Sequence, residues 1–100
     1  MKSEIRQHIV EILHYKGKAY GYDIYRIYKQ IYPRVTLRSI YYHLRKGTEL
    51  GEFKVVGIEK EKGEYSWGPE AEKIYYALGA HAKPAGDARV KAFLEKEGEA

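Results

Sequence analysis

The chain contains no cysteine, and it has no apolar run that approaches the roughly 18 to 20 residues of a membrane span. The lack of cysteine excludes disulfides, thiolate metal sites and thiol nucleophiles. The first residues alternate charged and aliphatic side chains at helical spacing, whereas a signal peptide needs an unbroken apolar stretch. We therefore expect a soluble cytoplasmic protein. Abundant Lys and Glu also fit a thermophile.

Acidic residues are missing from the centre of the chain. The segment from Thr36 to Lys46, TLRSIYYHLRK, holds no carboxylate, and from Tyr15 to Gly47 there are 8 basic residues and one acidic residue, Asp23. The part after Lys62 has 5 basic and 7 acidic residues, so it is mildly acidic. This uneven charge favours a polyanion as partner of the central block over an ordinary basic surface.

Apolar residues recur at helical spacing in three segments, which predict three helices ending near Gly17, Tyr32 and Leu50. Ser3 and Thr36 are suited to cap the first and third helices, and Pro33 disfavours helix in the residue before it. One hundred residues suit a single domain with one core. The inner stripes are Ile5, Ile9, Ile12 and Leu13, then Ile24, Ile27, Tyr28 and Ile31, then Leu37, Ile40 and Leu44.

The pattern then changes to that of a β-hairpin. EFKVVGIEK and EYSW have strand character, with EKEKGE as a charged turn in which Gly63 is free to take positive φ. Gly68-Pro69 predicts the start of a further helix, and ARVKAFLEKE predicts a last helix with Asp87 as its cap. The expected fold is α+β, mainly α: a winged helix-turn-helix of three helices, a two-stranded hairpin wing and a C-terminal helical segment.

The third helix, predicted over residues 37–50, presents a polar and basic face opposite its inner stripe. In a winged helix-turn-helix this helix reads the major groove, where Arg recognises guanine and Ser or Thr pairs with either kind of base edge. Arg38 and Ser39 lie in the first turn, where base contacts concentrate. The predicted DNA-binding residues are Thr36, Arg38, Ser39, Tyr41, Tyr42, His43, Arg45 and Lys46, with Lys60 and Lys62 placed at the wing tip.

Three stretches resemble the PadR-like winged-helix transcriptional regulators. They are KGKAYGYDIYRIYKQI, SIYYHLRKGTELGEF and GEYSWGPEAEKIYYAL, and together the likeness spans about Ile9 to Leu78. Three positions depart from the family pattern: Gly47 replaces a buried leucine, Glu52 an apolar residue and Gly68 a capping threonine. The resemblance implies a DNA-binding regulator that dimerises through helices after the wing. It also allows a small aromatic effector, since some members respond to phenolic or drug-like molecules.

The tail offers apolar residues for self-association. We divide the chain into a winged-helix domain, residues 1–79, and a helical extension, residues 80–100, as the dimerisation element. The alternative is that the last helix folds back on the first helix and completes a monomer core. The predicted dimerisation residues are Ile74, Tyr75, Leu78, Val90, Phe93 and Leu94.

Catalysis and metal binding have little support in the sequence. The four histidines are scattered without a carboxylate at ligand spacing, and no serine lies in a nucleophile-elbow setting. We therefore expect no enzyme, no cofactor and no metal. Eleven tyrosines leave three options open: half-buried packing, an aromatic ligand pocket, or stacking of single-stranded bases. A winged-helix protein-interaction module is the alternative to a sequence-specific DNA binder.

Overall fold

The computed structural model describes residues 3–32, 34–65 and 68–98, and over residues 60–72 only the course of the strands. The elements in chain order are α1 (Glu4–Lys16), β1 (Lys18–Tyr20), α2 (Gly21–Ile31), α3 (Leu37–Glu49), β2 (Phe53–Tyr65), β3 (Gly68–Leu78) and α4 (Ala88–Gly98). The strands form one antiparallel sheet in the order β1-β3-β2. The predicted winged helix-turn-helix class is confirmed. Among the described helices, none is both long and apolar enough to cross a membrane.

Local capping defines the ends of the helices. Ser3 accepts a hydrogen bond from the Arg6 amide at 3.3 Å, and Gly17 ends α1 with a φ of 87°, a conformation that favours glycine. Tyr32 follows α2 in an extended conformation, as expected for a residue before proline. Pro33 itself lies outside the described residues.

One core joins all four helices to the sheet. Its members come from α1, β1, α2, α3, β2 and α4, so the C-terminal helix belongs to the same core as α3. The predicted inner stripes are buried for the most part, although Ile5, Ile31 and Leu37 are only half-buried. The fully or nearly fully buried apolar residues are Ile9, Val10, Ile12, Leu13, Ala19, Ile24, Ile27, Tyr28, Tyr32, Ile40, Leu44, Phe53 and Val90.

The helix predicted to start at Gly68-Pro69 is wrong, because residues 68–78 form strand β3. This strand is the centre of the sheet: Tyr75 pairs with Tyr20 on one side and with Gly57 on the other. Its composition favours helix, yet pairing with β2 along its length and with β1 at residues 75–77 outweighs the weak local propensity. The short strand β1, in a segment for which the sequence predicted no strand, pairs with the second edge of β3 at residues 75–77.

The predicted hairpin turn at EKEKGE is also wrong. β2 continues through these residues to Tyr65, with Lys60 opposite Glu72 and Lys62 opposite Glu70. The alternating charges therefore lie in a strand. The two strands pair as far as Tyr65 and Gly68. Ser66 and Trp67, which belonged to the predicted strand EYSW, lie outside the described residues. The wing is longer than the sequence indicated.

Two departures from the family pattern have structural explanations. The ring of Phe53 occupies the space that a side chain at Gly47 would need, so α3 and β2 pack closely at this point. Glu52 accepts a hydrogen bond from the Arg6 guanidinium at 3.2 Å, which links α1 to the segment after α3. Where the family pattern has an apolar residue, this chain therefore has an ion pair between Glu52 and Arg6.

A buried carboxylate fixes the segment that leads into α4. Glu11, only 3% exposed, accepts hydrogen bonds from the backbone amides of Ala85, Gly86 and Asp87 at 2.8, 2.8 and 3.0 Å. Gln7 donates a further bond at 2.8 Å. Burial would raise the pKa of Glu11, but these hydrogen bonds outweigh it and lower the pKa below its ordinary value. Asp87 caps α4, as predicted, by accepting from the Arg89 amide at 2.9 Å.

Candidate nucleic-acid interface

The outer face of α3 is exposed and basic. Arg38, Arg45 and Lys46 are exposed, and Tyr41 and Tyr42 are 47% and 51% exposed. On the opposite face Ile40 and Leu44 are fully buried. The helix therefore has the orientation that the sequence pattern predicted, with cations and phenols toward solvent.

Two side chains at the start of α3, those of Thr36 and Arg38, have hydrogen-bond donors available to a ligand. Thr36 Oγ1 accepts the Ser39 amide at 3.0 Å, so this hydroxyl caps the helix and keeps its own proton available for donation. Among the described side chains, none pairs with Arg38. An exposed guanidinium in the first turn, with all its donors available, is suited to guanine.

Arg45 lies beside the ring of Tyr42, with the guanidinium carbon 5.9 Å from the ring centre. Such a contact restricts a long side chain and leaves its outer donors toward solvent. Lys46 is 3.9 Å from Glu49, an exposed ion pair of little strength. Glu49, at the end of α3, is the first carboxylate after Asp23.

His43 lies on the shoulder of α3 and is half-buried. Its Nδ1 is buried and has no hydrogen-bond partner among the described residues. Burial lowers the pKa of His43, and the nearby Arg6 lowers it further, so the ring is neutral at neutral pH. A neutral ring contributes a hydrogen bond to a phosphate but no charge.

Tyr41 is packed on the backbone of α2. A side chain at Gly21 would occupy the position of the Tyr41 ring, and burial raises the pKa of the Tyr41 phenol, with a further contribution from Tyr20. The ring therefore joins α3 to the start of α2. Tyr41 as a whole is 47% exposed and lies at the edge of the candidate interface.

The basic surface extends beyond the residues that the sequence analysis selected. Arg34, two residues before the Thr36 cap, is exposed and has no partner among the described side chains. Lys29, in the last turn of α2, is exposed, with its ammonium 4.9 Å from the centre of the Tyr25 ring. The sequence signal for Arg34 was its position in the short connection PRV, directly before α3.

For the two predicted wing lysines the structure describes only the course of the backbone. Lys60 and Lys62 lie in β2, before the hairpin turn, and their side chains lie outside the described residues. The position at the extreme tip is corrected, while contact with DNA stays a prediction.

Neither a scan against protein-family models nor a search of curated proteins found a match. The solved structures gave clear likenesses. One is a PadR family transcription regulator from hypervirulent Clostridium difficile R20291, with 23% identity, a TM-score of 0.58, and coverage of 97% of this chain and 85% of that chain.

A second is Bacillus subtilis PadR in complex with operator DNA, with 22% identity and a TM-score of 0.58. The match covers 92% of this chain and 47% of that one, so this chain spans about half its length. The chain has the fold of PadR-family regulators. The resemblance read from the sequence is thus confirmed for the fold, which at these identities is what the likeness shows.

The predicted dimerisation residues lie in two elements of this PadR-like fold. Val90 in α4 is fully buried in the core of its own chain, and Phe93, Leu94 and Leu78 pack against that core. Ile74, in β3, is 37% exposed. The last helix thus packs on its own α1, as the fold-back alternative stated, and Val90 is not available to a partner. Half-buried Phe93 and Leu94 keep part of their surface exposed.

An aromatic ligand pocket was one of the three options left open for the tyrosines, and beside residues 74–76 the structure has a small cleft of about 110 Å³. It is lined by Tyr20, Gly21, Tyr41, Lys73, Ile74 and Tyr76. Pockets that hold drug-sized ligands measure roughly 300 to 1,000 Å³, so this cleft is too small for one.

Proposed function

We propose that this protein is a sequence-specific double-stranded DNA-binding regulator of transcription that reads the major groove with α3. The observation that carries the proposal is the outer face of α3, where exposed Arg38, Arg45 and Lys46 lie opposite the fully buried Ile40 and Leu44. The likeness to B. subtilis PadR, whose solved structure contains operator DNA, supports it. Such a protein acts in the cytoplasm, on the nucleoid, by binding rather than by catalysis.

The polar residues of α3 divide into two roles. Arg38 and Ser39, in the first turn, are placed to contact base edges, while Arg34, Arg45 and Lys46 neutralise phosphates on either side. Thr36, Tyr41, Tyr42 and His43 supply neutral hydrogen bonds. This division predicts different effects for substitutions at the two kinds of position.

The test compares Arg38→Ala with Lys62→Ala on a set of DNA sequences selected from a random pool. Arg38→Ala is expected to lower discrimination at one base position by ~1 to 3 kcal/mol. Lys62→Ala should weaken all sequences alike and reduce the salt slope by about one unit, because it removes one phosphate contact. An unchanged ranking of sequences with Arg38→Ala would show that α3 is not the reader.

We further propose that the regulator is a homodimer. A helix-turn-helix monomer covers few base pairs, and two-fold dimers reading two half-sites are common. The mildly acidic tail stays off the phosphates, and the outer sides of Phe93 and Leu94 provide apolar surface. Exposed Lys91 neighbours them on α4.

Truncation after Gly79 is a poor test of the dimer, because it would also remove Val90 and the segment bound by Glu11. The sharper test is sedimentation velocity of the full chain, with Leu94→Gln against the control Lys91→Gln. Leu94→Gln is expected to weaken the dimer and binding to a palindromic site, while single-site binding survives. A wild-type monomer at micromolar concentration, on or off DNA, would refute the dimer.

A second candidate function is a winged-helix protein-interaction module. Its support comes from the wing, where Val55, Val56 and Ile58 are 47%, 45% and 58% exposed. An aliphatic row of this kind is common at protein interfaces. Salt-dependent retention on DNA discriminates between the two functions. A DNA-binding protein releases counterions from the phosphates when it binds, whereas a protein-interaction module does not bind DNA in this way.

A further inference from the structure

A groove of about 720 Å³ opens beside the start of α3, and the proposed function does not use it. Its apolar surface comes from Ile5 in α1, Tyr32 after α2 and Val35 in the connection to α3. The volume is in the range of pockets that bind small organic molecules. The groove is much larger than the cleft beside Tyr41.

The edge of the groove is cationic and rich in donors. Lys29 and Arg34 line it, together with the hydroxyl side chains of Thr36 and Ser39. None of the described residues that line it is acidic. A ligand that fits this charge pattern has an apolar body and an anionic head group.

The shape of the apolar surface in the groove favours a ligand with an aliphatic chain over one with an aromatic ring. His8 is stacked on Tyr32 with ring centres 3.7 Å apart, and the Arg89 guanidinium lies 4.9 Å from the Tyr32 ring centre. Since a parallel ring at 3.7 Å occupies one face, Arg89 covers the other. Tyr32 thus offers the groove only its edge, beside the aliphatic side chains of Ile5 and Val35.

We propose that the groove binds an aliphatic carboxylate, with its chain on Ile5 and Val35 and its carboxylate between Lys29 and Arg34. Arg34, Thr36 and Ser39 also border the DNA-binding face of α3, so the bound carboxylate competes with DNA. The competition rests on the proposed function, whereas the binding does not. The ligand is then an effector of a different chemical class from the aromatic one that the family likeness allowed.

The binding is tested on the full chain without DNA, by calorimetric titration with decanoate below its micelle concentration. One decanoate per chain is expected, with decanol and 4-butylbenzoate each weaker. Arg34→Gln should reduce decanoate affinity about tenfold, the loss expected for one charge-assisted hydrogen bond, and leave decanol unchanged. Lys91→Gln, an exposed position on α4, is the matched control and should bind as wild type.

Three results would overturn the binding: equal affinity for decanol, tighter binding of 4-butylbenzoate, or an Arg34→Gln variant that binds decanoate like the control. Circular dichroism verifies that each variant is folded. The competition is tested separately, by measuring DNA affinity with decanoate and with decanol. Decanoate alone is expected to weaken DNA binding, and unchanged affinity would overturn the competition. If the chain binds no DNA at all, the proposed function fails while the decanoate titration still decides the site.

Discussion

Replacing Glu11 with Gln should destabilise the fold strongly, because the carboxylate serves four donors at once. Its Oε1 accepts from Gly86 and Asp87, and its Oε2 accepts from Ala85 and Gln7, all within 2.8 to 3.0 Å. A glutamine amide keeps one acceptor oxygen, and its NH₂ group must then face two donors. Two buried bonds are lost and the remaining two lose their charge assistance.

The expected cost is ~3 to 6 kcal/mol, since two hydrogen bonds to a charged group are lost and each contributes ~1.5 to 3 kcal/mol. For a domain of this size that corresponds to a fall in melting temperature of at least ~12 °C. Thermal and urea unfolding followed by circular dichroism measures it. Glu4→Gln is the matched control, because this carboxylate lies on the same helix but is 86% exposed. A Glu11→Gln variant as stable as Glu4→Gln would refute the role of Glu11.

The same carboxylate predicts a pH dependence. The pKa of Glu11 is lowered from 4.5, and the Arg89 guanidinium lowers the pKa of Asp87 to about 2. A group whose folded pKa is lowered stabilises the fold above its unfolded pKa and loses that contribution as the pH falls. Wild-type stability should therefore decrease below pH 4.5. Glu11→Gln should show a smaller decrease, because one of the two groups no longer titrates.

Two further predictions concern α3. Ile40→Ala and Leu44→Ala should each destabilise the fold by ~2 to 5 kcal/mol in urea unfolding. The control Arg45→Ala, at an exposed neighbouring position, should stay within ~0.5 kcal/mol of wild type. Wild-type stability of either core variant would mean that α3 faces the other way. Gly47→Ala gains ~1 kcal/mol of helix propensity but collides with Phe53, and overpacking costs ~1 to 3 kcal/mol, so a net loss is expected that Phe53→Leu partly restores. A Gly47→Ala variant more stable than wild type would show that the Phe53 ring moves aside at little cost.

The sequence predicted the three N-terminal helices and the orientation of α3 because their apolar residues recur at 3.6-residue spacing. It failed at residues 68–78, where Ala, Glu, Lys and Leu favour helix locally. The deciding interactions come from strands 18–20 and 53–65, which are distant in sequence. In hindsight the period-2 pattern was present, since Ile74, Tyr76 and Leu78 alternate with Lys73, Tyr75 and Ala77. Local propensity and alternation conflicted, and pairing with β2, joined by β1 at residues 75–77, decided the outcome.

The candidate site was predictable to a similar degree. Helical geometry placed Arg38, Arg45 and Lys46 on one face without any tertiary information. The burial of His43 Nδ1, the packing of Tyr41 on Gly21 and the groove beside Arg34 could not be predicted. Each depends on which residue of another element lies opposite, and no local pattern encodes that.

The position of α4 has a consequence for the separation of the two DNA half-sites that a dimer would bind. Glu11 and Val90 hold α4 to α1 through buried contacts, and α1 is held to the end of α3 by the shared core and by the Arg6–Glu52 ion pair. A partner that docks on the outer side of α4 is therefore connected to α3 through packed side chains. The spacing between the two recognition helices would then be fixed, and a two-fold dimer should tolerate little variation in half-site separation. Inserting one to three base pairs between the half-sites should abolish dimeric binding, whereas equal affinity at all spacings would show that α4 moves relative to α3.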